Sequence, residues 1–140
     1  MEVALVEEVL RKEIVGMHAF IVDWLRGDVP NTEETFARMA EAMAPGFYIV
    51  DPGGSFTTGE DYRSGLYGAY GDWREADLWV RNVVLRGSGA HHWATYEEWM
   101  YEGEVERGRL VSAVFESAEE APNGVVWHFV HETWLPVEED

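Results

Sequence analysis

The stretch Val125-Val126-Trp127-His128-Phe129-Val130-His131-Glu132-Thr133-Trp134-Leu135-Pro136 decides how the chain is read. It follows a Pro-Asn-Gly turn, alternates two sets of residues and runs out into Pro and three acids, the pattern of a strand. Strict alternation puts Trp127, Phe129, His131, Thr133 and Leu135 on one face. Val126, His128, Val130, Glu132 and Trp134 then share the other. Large apolar groups on both faces suit a strand inside a sheet with a cover on each side. The helices that come first in the chain supply one cover, and a second copy of the protein is expected to supply the other.

Working upstream, residues 78–85, 91–101 and 110–117 have the same strand character and are separated by glycine-bearing turns. With 125–135 they predict an antiparallel meander of long hairpins. The amino-terminal third differs. Val3, Val6, Leu10, Ile14, Met17, Ile21 and Leu25 recur at three- and four-residue steps, predicting an amphipathic helix over 2–26 that Gly27-Asp28-Val29-Pro30 stops. Asn31 or Thr32 caps a second helix to about residue 43, with Glu33 and Glu34 in its first turn. Residues 47–51 and 55–57 read as short strands around a Pro52-Gly53-Gly54 turn. Thr58 caps a third helix over 59–70 despite its three glycines. Helices first and a meander after give an α+β domain, helices laid across one face of a curved, mostly antiparallel sheet. No repeat or linker divides the 140 residues, so one domain is expected over 1–140.

Composition narrows the functions. The chain carries 27 acidic and 10 basic residues, a formal charge of −17, which would repel nucleic acid. Seven Trp, six Tyr and six Phe make an aromatic interior, and the absence of Cys excludes disulfides and thiol chemistry. No apolar run approaches the ~18 residues of a membrane span. With no basic, apolar leader at the start, the cytoplasm is the expected location.

Three places resemble the NTF2-like superfamily, with the ketosteroid isomerase and SnoaL-like polyketide cyclase branch nearest. Tyr48-Ile49-Val50-Asp51-Pro52-Gly53-Gly54 is similar to the isomerase segment whose catalytic base is an Asp before Pro. Gly59, followed eight residues later by Tyr67, resembles their third helix with its pocket tyrosine. Trp127…His131-Glu132-Thr133 is similar to the Trp-x-x-x-His-x-His ending of SnoaL-like proteins and of kinase-association hub domains, with Thr133 at the second His. The resemblance implies the cone-shaped NTF2-like (cystatin-like) fold, an apolar pocket between helices and sheet, and a homodimer through the outer sheet face. Two departures stand out. The isomerases' oxyanion-donating Tyr falls on Phe20, and their protonated Asp falls on Glu116, or on Phe115 after a one-residue slip. A missing oxyanion donor costs about 10²–10³ in rate, which argues against steroid isomerisation itself.

Candidate chemistry follows. Asp51 beside an apolar wall would have a raised pKa and could take a proton from carbon next to a carbonyl. The competing reading is turn chemistry, because Asp often opens turns. His131 would relay a proton or hold a carbonyl, against the alternative of a buried His bonded to a neighbouring side chain. Glu116 is either a protonated donor or a solvated strand-end acid. Phe20, Trp24, Trp127 and Phe129 are the expected ligand-binding wall, with Tyr67 a polar positioner beside His131, although aromatic stripes are most often core. Trp79, Trp93, Trp99 and Trp134 are candidate dimer anchors. His91 and His92, like Glu97 and Glu98, are neighbours on a strand and point to opposite faces, so neither pair can act together, and no metal or cofactor is expected.

The expected function is binding of a small, largely apolar organic molecule, with cofactor-independent proton transfer of the isomerase, cyclase or dehydratase type through Asp51, His131 and Glu116. The alternatives are a ligand carrier without turnover and an oligomerising hub.

Overall fold

Helix α1 (Val3–Arg26) forms where its apolar stripe predicts, burying Val6, Leu10, Ile14 and Met17 in the main core and Trp24 among neighbouring aromatic rings. Gly27 ends it in the left-handed conformation, φ 75°, with its N–H bonded to the carbonyls of the last turn. The computed structural model describes residues 2–136. Helix α2 (Glu33–Ala40) starts at Thr32, whose hydroxyl accepts the Thr35 N–H at 3.1 Å. It stops short of residue 43 because Met43 already belongs to strand β1 (Met43–Val50), where it stands opposite Trp127. Strand β2 (Phe56–Thr58) pairs back on β1, and Thr58 caps helix α3 (Gly59–Gly68) by accepting the Asp61 N–H at 3.1 Å.

The four long strands are β3 (Leu78–Ser88), β4 (His92–Glu102), β5 (Val105–Ser117) and β6 (Val125–Trp134). The sheet order is β2-β1-β6-β5-β4-β3, so the last strand lies inside the sheet, parallel to β1 and antiparallel to β5. The rest is antiparallel. Three helices on a six-stranded mixed sheet give the expected α+β fold. The main core lies between α1 and the inner sheet face, where Leu10, Ile14, Val111, Ala113 and Phe115 are fully buried.

One expectation about β6 is corrected. Phe115 stands opposite Trp127 and Val114 opposite Phe129, so His128 is an extra residue without a partner. This bulge breaks the period of two. Trp127 points inward, His128 and Phe129 do not, and the inward set resumes with Val130 and Glu132. His131 lands on the exposed side. The face shared by Trp127, Phe129 and His131 in the alternating pattern therefore does not exist.

Candidate functional site

The bulge helps to shape a cavity of about 50 Å³ between α1, α3 and the inner sheet face. That is room for a few waters or the end of a small molecule. Its wall is mostly apolar, with Met17 and Ile21 from α1, Phe47 and Ile49 from β1, and Val130 from β6. One part is polar. His18, Tyr62, Tyr96, Glu98 and Glu132 all line the same space.

His18 sits on the buried stripe of α1, four residues after Ile14. Its Nδ1 lies 2.8 Å from the Ile14 carbonyl and its Nε2 lies 2.7 Å from the Glu98 carboxylate. Both neighbours are hydrogen-bond acceptors, so the geometry suits an N–H on each ring nitrogen, the imidazolium form. Burial alone would lower the His18 pKa, but the hydrogen bond and charge of Glu98 raise it. Burial alone would likewise raise Glu98. The hydrogen bond and charge of His18, with the Arg109 guanidinium that also bonds it, hold it instead at about 2. Glu98 is therefore a permanent carboxylate with its two cations in place.

Glu132 has the opposite fate. Arg109 approaches it only to 3.6 Å, beyond a good hydrogen bond, because that guanidinium is committed to Glu98. Burial pushes the Glu132 pKa up to about 7, and the negative charges of Glu98 and Asp51 add to the push against Arg109 and His18. Two carboxylates thus share one cavity with their pKa values driven apart, a pattern common at functional sites. Tyr62 and Tyr96 are kept as neutral phenols, raised by burial and then by both carboxylates. The arrangement combines a fixed anion, a carboxyl able to gain or lose a proton near neutrality, and two hydroxyls able to donate.

Of the residues picked from sequence, Trp127 lines this cavity. Its ring packs on Phe115 at 4.5 Å, and its indole N–H donates to the buried Glu13 at 2.8 Å. Phe20, Trp24 and Tyr67 are brought together elsewhere. Trp24 packs against Phe20, Phe36 and Tyr67 at 5.9, 4.9 and 5.6 Å, making an interhelical aromatic cluster, and Tyr67 is 39% exposed. Phe129 stacks on Tyr48 at 5.3 Å, and His131 lies 3.4 Å from the Tyr48 hydroxyl. Asp51 heads the turn after β1, where its carboxylate accepts the N–H groups of Gly53 and Ser55, each at 2.9 Å. Glu116 is exposed and bonded to His128 at 2.8 Å.

His18, Tyr96 and Arg109 were not singled out in the sequence, and Glu98 and Glu132 were read there only as strand positions without a role. Signals existed for two. His18 interrupts an apolar helical stripe, and Glu98 follows Ala94 and Tyr96 on the inward-facing period of β4, while Glu97 points out to Asn82. A charged group on a core-facing period is the pattern to look for.

The fold is that of an NTF-2 like protein of unknown function from Pseudomonas aeruginosa, with TM-score 0.79, 22% identity, and 91% of this chain and 99% of that one covered. It is also similar to the CaMKII hub of S. rosetta, with TM-score 0.69, 8% identity, and 91% and 95% covered. The expected NTF2-like fold is therefore present. Among curated proteins, sucrose-phosphatase 1 of Nicotiana tabacum is 27% identical over 128 residues, 88% of this chain and 30% of the relative. The chain thus spans about a third of the length of that relative. The profile described as sucrose-6-phosphate phosphohydrolase C-terminal matches residues 10–136, and the chain belongs to that family.

Proposed function

We propose that the domain binds the end of a small organic molecule in the cavity, with Glu132 exchanging a proton with a hydroxyl or carbonyl group of that molecule. The observation that carries this reading is the Glu132 carboxyl, lifted to about 7 on the wall of a largely apolar cavity beside two neutral phenols. A general acid or base works best with a pKa near the working pH. In this reading Glu132 is the acid or base, Tyr62 and Tyr96 hold the polar group, and Glu98 with His18 and Arg109 keeps the field fixed. Asp51 acts from its turn by adding negative charge, and His131 and Glu116 lie outside the proton-transfer path.

The family match suggests a ligand class. The relatives' name points to a phosphorylated sugar, and the neutral phenols of Tyr62 and Tyr96 beside the Glu132 carboxyl suit hydrogen bonding to a sugar hydroxyl. The cavity is too small for a whole disaccharide, so one ring edge or hydroxymethyl group would enter. An NMR screen of sugars, polyols and enolisable ketones tests this. Ligands should shift Tyr62, Tyr96 and Trp127 resonances, and their affinity should change with pH around neutrality in the wild type but not in Glu132→Gln. Binding that leaves those resonances unmoved, or the same pH profile in the variant, would overturn it.

A second reading, self-association, is favoured by exposed apolar groups at Trp93, Tyr101 and Leu110. Light scattering on wild type and Trp93→Glu tests it, with a dimer that dissociates in the variant as the expected result and a wild-type monomer as the contrary one.

A further inference from the structure

The bulge that turns Glu132 inward also sets His128 beside Glu116. We propose that His91, Glu116 and His128 form a site for a first-row divalent cation of the zinc class, separate from the cavity. One ligand atom from each of the three lies within 4.8 Å of the others. The His128 Nε2 is 2.8 Å from the Glu116 carboxylate, and the two imidazole rings meet edge-on with centroids 4.9 Å apart.

The backbone explains why these three meet. His92 stands opposite Phe115, which is fully buried, so the preceding and following residues, His91 and Glu116, emerge side by side on the other face. Glu116 in turn stands opposite Val126, two residues before the bulged His128. His91 and His92 point to opposite faces and cannot share an ion; His91 finds its companions across strands instead. His92 turns the other way and lies between the hydroxyls of Ser88 and Ser117.

The donor set decides the metal. Two imidazoles and one carboxylate suit zinc and its neighbours, whereas magnesium and calcium prefer oxygen ligands alone. Zinc bonds of about 2.0–2.1 Å place tetrahedral ligand atoms about 3.4 Å apart, so the three groups need only close by rotation of side chains. His91 and Glu116 are exposed and free to turn. Three protein ligands leave a fourth position for water or an incoming group. The chain's charge of −17 favours a cation in general, which is why the test must separate this site from diffuse binding.

Titration calorimetry of the metal-free protein with Zn²⁺, in the presence of excess Mg²⁺, gives the first reading. One Zn²⁺ per chain is expected, with affinity falling by about tenfold or more in His91→Gln and in His128→Gln. Absence of a one-to-one site, displacement by Mg²⁺, or unchanged affinity in both variants would overturn the proposal. The wild-type imidazole NMR spectrum provides a reading that does not depend on variants folding. Zn²⁺ should move the His91 and His128 signals and leave His18 and His131 in place. Movement confined to other histidines would equally contradict it.

Discussion

Two histidine–carboxylate pairs in this molecule have nearly the same length and different consequences. His18–Glu98 spans 2.7 Å inside the core, and His128–Glu116 spans 2.8 Å on the surface. In the first, burial penalises both charges, so the pair persists only because Arg109 and the Ile14 carbonyl complete its hydrogen bonding. Its charge also helps to drive a third group, Glu132, to about 7. In the second, the hydrogen bond and charge of His128 lower the Glu116 pKa, while water screens the pair from its surroundings. Environment decides what each pair does. The buried pair orders the polar wall of the cavity, and the exposed pair stays open to solvent.

The largest expected break comes from Glu98→Ala, which strands His18 and Arg109 in the core without their anion. Urea denaturation should show a loss of about 3–5 kcal/mol, as for other buried pairs with one partner removed. Next is the pH dependence that Glu132 brings. Its folded pKa of about 7 lies above the ordinary 4.5, so its contribution to stability is full below 4.5 and is lost as pH rises through 7. Glu98, held at about 2, contributes fully above 4.5 and loses its contribution as pH falls towards 2. Glu132→Gln should therefore remove a fall of about 2 kcal/mol between pH 4.5 and 7, and leave the acid limb unchanged. His18, raised above 6.5, loses its contribution as pH rises beyond that value, so part of the alkaline decline survives in the variant.

A smaller effect is expected at the turn. Asp51→Ala removes the acceptor for two backbone N–H groups and should cost about 1 kcal/mol, while Asp51→Asn keeps an oxygen there and should cost less. The smallest belongs to the exposed pair. Glu116→Gln should leave the melting temperature unchanged, and high salt should likewise affect the wild type and this variant alike. A marked loss of stability there would show that the two pairs differ less than their surroundings suggest.

The fold was largely legible because its main signals are periodic and local. The α1 stripe, the Thr32 and Thr58 caps and the long hairpins all follow from residue type and spacing. Of the cavity lining, Trp127 was legible from its strand position, and the polar wall was not. The obstacle was a single extra residue in β6, at His128, with no Gly or Pro to announce it. Past that point every side chain changes face, which exchanged His131 for Glu132 in the cavity. Asp51 was read either as a base or as a turn former, and the turn is where its hydrogen bonds go. Phe20 and Trp24 lie on α1 and Tyr67 on α3, and these helices satisfy each other's aromatic groups through Phe36 of α2. Arg109 carried no local signal, since its role depends on Glu98 and Glu132 from neighbouring strands.

Burial first, and the charges of Glu98 and Asp51 after it, hold the Glu132 carboxyl at about 7 against the pull of Arg109 and His18. Carboxyl carbon NMR across a pH titration, with Glu132→Gln to assign the signal, measures this value directly. A midpoint of about 7 is predicted. A midpoint at or below the ordinary 4.5 would mean a solvated or well-paired carboxylate, and would contradict both the proton-exchange role and the contrast between the two pairs.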